Sequence, residues 1–166
     1  MHLRPYRDDD AAPTLAVFRR AVTLLASRDY TAEQVAAWAS PDIDPVVWAE
    51  RRAASRTQVA ESGGRVVGFT DVDEDGYVDM LFVDPDAARQ GVGSALLSWA
   101  RATAVELGAH ELTTNASLTA RPVFEAHGFV VVAEQRPVLR GVGLTNFRMR
   151  CELDPVAHRE PGAAPA

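Results

Sequence analysis

Leu15, Phe18, Val22 and Leu25 recur at intervals of three and four behind the acidic run Asp8-Asp9-Asp10, which predicts an amphipathic helix over DDDAAPTLAVFRRAVTLLA. Two shorter helices follow. YTAEQVAAWA sets Thr31 and Gln34 as a capping box, and DPVVWAERRAAS sets Asp44 as N-cap with Pro45 at the first helical position. The period then shortens to two. TQVAES and RVVGFTDV, joined across Gly63-Gly64, read as a hairpin, and Asp75-Gly76 turns the chain into a third antiparallel strand, YVDMLFV. SALLSWARATAVEL returns to helical spacing, with Leu96, Leu97, Ala100, Ala104 and Leu107 on one side and Gly108 as its stop. HELTTNAS predicts a strand, TARPVFEAHGF a short helix ended by Gly128, and FVVVAEQRPV with LTNFRMRCEL a closing hairpin. HLRP at residues 2–5 opens the series as a strand. Residues 154–166 lack any apolar period, so the expected domain covers 1–153 and the tail is expected to be disordered. There is no internal repeat.

Composition narrows the class. A chain of 166 residues, 47% hydrophobic, is long enough for one good core and short for two. No apolar run is long enough to span a bilayer, and MHLRPYRDDD carries acid where a signal peptide has its apolar segment; the expected compartment is the cytoplasm. A formal net charge of -6 argues against nucleic acid or an anionic membrane as partner and suits a cationic substrate. The lone Cys151 excludes an internal disulfide and is expected to be a buried strand thiol. His2, His110, His127 and His158 are scattered, with no pair at metal-ligand spacing, and no metal is expected.

The glycines in VDPDAARQGVGSALL sit between a strand and a helix. A dinucleotide fingerprint needs a third glycine where Leu96 stands, a Walker loop needs a lysine and the chain has none, and GVGSA does not match the G-x-S-x-G elbow, so Ser94 is no nucleophile. What remains is backbone that a ligand can approach closely, at a helix N-terminus whose amides attract phosphate; a plain N-terminal turn is the alternative. Asp71, Asp73, Asp75, Gly76 and Asp79 match the early positions of a calcium loop, but Phe82 stands where its closing Glu belongs and the flanks alternate as strands. That stretch is read as a solvated acidic turn.

LFVDPDAARQGVGSALL resembles the acyl-CoA segment Q/R-x-x-G-x-G/A of the GNAT superfamily, the GCN5-related N-acetyltransferases. SLTARPVFEAHGF matches that family's second element, N-x-x-A-x-x-x-Y-E-x-x-G-F, at Ala120, Glu125, Gly128 and Phe129. The predicted element order over residues 1–153 is also the family's, and YTAEQVAAWA resembles a bacterial branch acting on small molecules. The resemblance implies an α/β (α+β) fold with a mixed, mostly antiparallel seven-stranded sheet flanked by helices. It implies acetyl-CoA as co-substrate, with the pantetheine arm on the main chain of Leu81, Phe82 and Val83 and the pyrophosphate on the amides of Arg89, Gln90, Gly91, Val92, Gly93 and Ser94. Ser117 and Phe124 fall at the family's cofactor-contacting Asn and Tyr positions, and Ala88 at its Q/R position. Arg121 either adds charge to the phosphates or is a solvated helix residue. Phe124 has no proton to give, which leaves the general acid open.

The implied reaction is attack of a primary amine of a small molecule on the acetyl thioester. Strand alternation puts Tyr77, Asp79, Leu81 and Val83 on one face, which makes Asp79 a candidate base, or else only an arginine's partner. Tyr77 and Tyr30 are reserve acids, and Trp38 and Trp48 either wall the acceptor pocket or belong to the core. The alternative function is a non-catalytic acyl-CoA-binding sensor or partner module, favoured by Phe124 alone. The oligomeric state is left open, a homodimer being one arrangement.

Overall fold

A computed structural model describes residues 1–153, so the disorder expected over 154–166 falls outside the described residues. The chain runs β1 (His2–Pro5), α1 (Ala11–Leu24), α2 (Ala32–Trp38), α3 (Pro45–Ala54), β2 (Thr57–Ser62), β3 (Arg65–Asp71), β4 (Tyr77–Val78), β5 (Leu81–Val83), α4 (Val92–Glu106), β6 (Glu111–Ser117), α5 (Arg121–Ala126), β7 (Val130–Gln135), β8 (Val138–Leu139), β9 (Val142–Gly143) and β10 (Asn146–Glu152). The local signals act where they were read. Thr31 Oγ1 accepts from Gln34 N–H at 3.2 Å while Gln34 Oε1 accepts from Thr31 N–H at 2.9 Å, and Asp44 Oδ1 accepts from Val46 N–H at 2.8 Å.

Two four-stranded sheets form, in the orders β1-β2-β3-β5 and β4-β6-β10-β7, with β8 and β9 as a separate hairpin. The first is antiparallel throughout; in the second, β4 runs parallel to β6 at Tyr77↔Thr113 and Val78↔Thr114. Counting β4 and β5 as one interrupted run, seven strands cross both sheets, which agrees with the mixed, mostly antiparallel α/β class. The small β8–β9 hairpin is an addition that the sequence reading lacked.

Helices cover both faces. On one, Phe18 of α1 and Trp48 of α3 pack against Phe69 of β3. On the other, Val92 and Leu96 of α4 pack on Ala60, and a Cβ at Gly68 would lie 2.9 Å from Val92 Cγ1, so β3 needs glycine there to seat α4. The second sheet shares α4 and α5 through Leu97, Ala100, Phe124, Leu112 and Met149. Trp48 is core, its indole N–H donating to Thr14 Oγ1 at 3.1 Å in a buried bond.

The single strand expected over YVDMLFV is broken at Asp79-Met80. Asp71 Oδ1 accepts from the Asp79 and Met80 amides at 3.0 and 2.9 Å, Thr70 Oγ1 donates to Met80 O at 2.7 Å, and Thr114 Oγ1 donates to Val78 O at 2.8 Å. Side chains from both neighbouring strands thus satisfy the backbone groups that a continuous ladder would have paired. The break also inverts the alternation. Val78 and Leu81, an odd number of residues apart, pack into the same core, so Leu81 and Val83 do not share the face of Tyr77 and Asp79 as expected. Nor is the acidic stretch wholly solvated, because Asp71 is 2% exposed and paired with Arg52, itself 2% exposed.

At the edge of the first sheet, Arg4 donates to both oxygens of the buried Asp10 carboxylate at 2.6 and 2.8 Å and to Glu61 at 2.7 Å. Burial pushes the Asp10 carboxyl up, but the Arg4 bonds and the Arg7 amide outweigh it and hold it below its ordinary value. A depressed carboxyl stabilises the fold above its unfolded pKa, and that contribution is lost as pH falls through the folded one. The melting temperature should therefore fall as pH drops below about 4, and calorimetry should show a shallower fall in Asp10→Asn.

Candidate active site

Asp84 N–H donates to Val67 O at 2.8 Å, and the register of β3 with β5 then makes Phe82/Phe69 the next hydrogen-bonded pair. Leu81 and Val83, between those pairs, turn their N–H and C=O away from β3. The strand that ought to meet them is absent on that side, because the pairing of β6 with β4 stops at Val78↔Thr114. A wedge opens between β5 and Asn115, Ala116 and Ser117. It holds a cavity of about 370 Å³ that continues, past Leu81, Phe82, Ser117 and Ala120, into a smaller apolar groove of about 140 Å³ reaching Gly93 and Val123.

That groove ends at the N-terminus of α4. Among the described residues, none of the amides from Arg89 to Ser94 has an acceptor; the first helical bond runs from Ala95 N–H to Gly91 O at 3.0 Å. Arg89 and Gly91 both adopt positive φ, 61° and 81°, which folds the loop into a concave set of N–H groups of the kind that holds anions. Gly91 supplies this conformation without the strain a Cβ would bring. Asp84 anchors the loop: buried, it accepts from Arg20 Nε and from Asp86 N–H, each at 2.9 Å. Gln90 turns its side chain back to Asp86 O at 2.8 Å.

At the other end, Asp79, Tyr77 and Tyr30 all line the 370 Å³ cavity. The Asp79 side chain is half exposed and lies 3.5 Å from Arg52, so the carboxylate borders the cavity and an arginine at once. Tyr77 accepts from Asn115 Nδ2 at 3.1 Å, and burial, then the Asp79 charge, push its phenol up. Tyr30 is occupied differently. Its hydroxyl donates to Thr145 O at 2.6 Å and accepts from Leu118 N–H at 2.9 Å, while burial pushes its pKa up; it ties the loops after β6 and before β10. Ser117 Oγ accepts from Ala120 N–H at 3.0 Å, and Phe124, 2% exposed, meets Phe129 edge to face at 5.0 Å. Arg121 donates to Glu125 at 2.7 Å and stands 4.5 Å from the centre of the Phe147 ring. Trp38 lines the cavity, 5.5 Å from Tyr30 ring to ring.

Two features of this region escaped the sequence reading. Arg52 and Asp71 form a buried ion pair under the strand break; burial pushes the Asp71 carboxyl up, opposed by the Arg52 charge and the Met80 amide. The β8–β9 hairpin closes the cavity with Leu139 and is tethered to α2, Arg140 donating to Ala37 O and Gln34 to Gly143 O, both at 2.9 Å. Neither signal is local; both residues of the Arg140-Gly141 turn adopt positive φ, 49° and 79°, but the pair is not the Asn-Gly or Asp-Gly that marks such a turn in a sequence.

A family model for the acetyltransferase (GNAT) domain matches residues 26–153. The uncharacterized N-acetyltransferase YafP of Escherichia coli (strain K12) is 43% identical over 150 residues, 90% of this chain and 95% of that one. The chain belongs to the GNAT acetyltransferase family. Among solved GNAT structures, the GCN5-related N-acetyltransferase (aminotransferase, class-II) of Rhodopseudomonas palustris superposes with a TM-score of 0.88 at 35% identity, over 92% of this chain and 95% of that one. The protein yncA of Salmonella typhimurium, in a structure with acetyl-CoA, shares the fold at a TM-score of 0.69 and 24% identity, over 99% of both chains. Among the described residues no helix is long and apolar enough to cross a membrane.

Proposed function

We propose that this protein is a cytoplasmic N-acetyltransferase that takes an acetyl group from acetyl-CoA and passes it to the primary amine of a small molecule in a ternary complex. One observation carries the reading: unpaired main-chain groups at Leu81 and Val83 lead along one groove from the amides of residues 89–94 to a carboxylate and a phenol. These residues fit acetyl-CoA. The pantetheine amides match Leu81 and Val83, with Phe82 contributing its ring to the wall, and the pyrophosphate matches the amides of Arg89 through Ser94. Ser117 and Phe124 border the arm, and Arg121 stands over the phosphate end only if it leaves Glu125. The bound thioester supplies an activated acetyl carbonyl.

Asp79 takes the proton from the acceptor's ammonium, directly or through a water. An N–H of β5 donates to the oxygen that gains charge. Tyr77, kept protonated by its raised pKa, holds the proton that the sulfur needs, in place of the hydroxyl that Phe124 lacks. Tyr30 stands in reserve, its proton engaged at Thr145 O. One N–C bond forms and one C–S bond breaks, so an amide and a free thiol leave.

The test is acetyl-CoA binding by calorimetry together with thiol release across a panel of amines. Binding without release by any amine would make the protein an acyl-CoA sensor instead. A Cβ at Gly93 would lie 3.8 Å from both Val83 Cγ2 and Val123 Cγ1, across the groove, so Gly93→Val should keep the fold and abolish acetyl-CoA binding; unchanged affinity would remove the loop from the site. Tyr77→Phe should lower turnover by less than about 100-fold, the low end for a general acid, because water can also protonate a thiolate. With the phenol pKa raised, wild-type activity should lose its acid only as pH climbs above about 10.

A further inference from the structure

We infer that the acceptor is a small primary amine on an uncharged, largely apolar or aromatic body, with no carboxylate or phosphate beside the amine. The inference rests on the acetyltransferase reading and narrows its second substrate. Among the described residues, the wall of the 370 Å³ cavity carries one carboxyl side chain, Asp79, and no arginine or histidine. Of the arginines nearby, Arg121 is held by Glu125 and the Phe147 ring and Arg140 by Ala37 O, Arg52 is shared between Asp71 and Asp79, and Arg148, opposite Asn115 in the β6–β10 pairing, is exposed. An anion beside the acceptor's amine would meet the Asp79 carboxylate with no cationic side chain on the cavity wall, which is unfavourable.

The rest of the wall sets the body. Tyr30, Trp38, Leu139 and Leu144 pack together as one apolar stretch of the wall, with the Phe82 ring beside Trp38. Such a lining favours apolar or aromatic surface, and the rings suit an ammonium bound at Asp79. The cavity, about 370 Å³ and shared with the acetyl thioester, is of a size for a small-molecule body. One polar point remains. Asn146 lines this cavity, and its Oδ1 is buried with no hydrogen-bond partner among the described residues.

Matched pairs differing only in a carboxylate test this directly: phenethylamine against phenylalanine, and tyramine against tyrosine, with acetyl-CoA and a free-thiol readout. The amine in each pair should exceed the amino acid in kcat/KM by at least about 100-fold. Equal rates within a pair, or putrescine or spermidine outrunning phenethylamine, would overturn the inference; the latter would move the acceptor to the open acidic bay of Asp73 and Glu74 on the far side of Asp79. Val138→Arg, at an exposed position on the cavity rim, should shrink the ratio at least tenfold, and an unchanged ratio in a folded variant would show that wall charge does not select. If no amine releases thiol, the acetyltransferase reading falls on its own. Calorimetry with CoA present then decides the narrower point: phenethylamine binding without phenylalanine binding upholds it, and the reverse sinks it.

Discussion

Asp79→Asn is expected to lower turnover by about 100-fold to 10,000-fold while acetyl-CoA affinity stays close to that of the wild type. The amide keeps the size of the carboxylate, and the Asp79 backbone N–H keeps its bond to Asp71, so the strand break survives. Only the ability to take a proton is lost. Saturating turnover from thiol release and affinity from calorimetry separate the two effects. The base limb of the pH–rate profile should follow the acceptor's own pKa when the amine is changed, if the substrate is its source. Turnover near wild type in Asp79→Asn would leave Asp79 as nothing more than a partner of Arg52, with the proton leaving through Tyr77 or a water.

Asp71→Ala should cost about 3–5 kcal/mol in stability, because Arg52 loses its buried partner and keeps only the half-exposed Asp79 at 3.5 Å. Urea unfolding measures it. The pair differs from an ordinary buried ion pair, because Asp71 also caps the Asp79 and Met80 amides. Replacing both partners with apolar groups often restores stability in such pairs, yet Arg52→Met/Asp71→Leu should not, since two backbone donors stay orphaned. Recovery to wild-type stability in the double variant would show that the amides find other acceptors and that Asp71 does not hold the break.

How far the sequence could be read depended on the range of each interaction. The capping box of Thr31 and Gln34, the Asp44-Pro45 start and the stop at Gly108 are settled within a few residues, and all stand as read. The glycine loop was legible for the same reason, since the Gly91 conformation and the unpaired amides are local properties of a helix start. The break in YVDMLFV was not. Its apolar residues run on past Asp79 with no turn residue among them, and what interrupts the strand is a carboxylate and two hydroxyls at 70, 71 and 114, brought in from β3 and β6. Arg52 was hidden likewise, an unremarkable residue at the end of α3 until the fold buries it. Thus Tyr77 and Asp79, expected as reserve acid and base from a face argument, line the cavity, while that argument was wrong about Leu81 and Val83.

The placement of β10 bears on how the chain comes to be folded. The strand made last, Asn146–Glu152, lies between β6 and β7 and pairs with both. A nascent chain lacking it has two strands of the second sheet with a vacancy between them, so this half cannot assemble vectorially on the ribosome. The first sheet is complete once β5 has been made, before β6 begins, and has no such delay. Synthesis should therefore produce an interval in which the β1–β3 half is protected against proteolysis and β6 and β7 are not, ended only when Glu152 clears the exit tunnel.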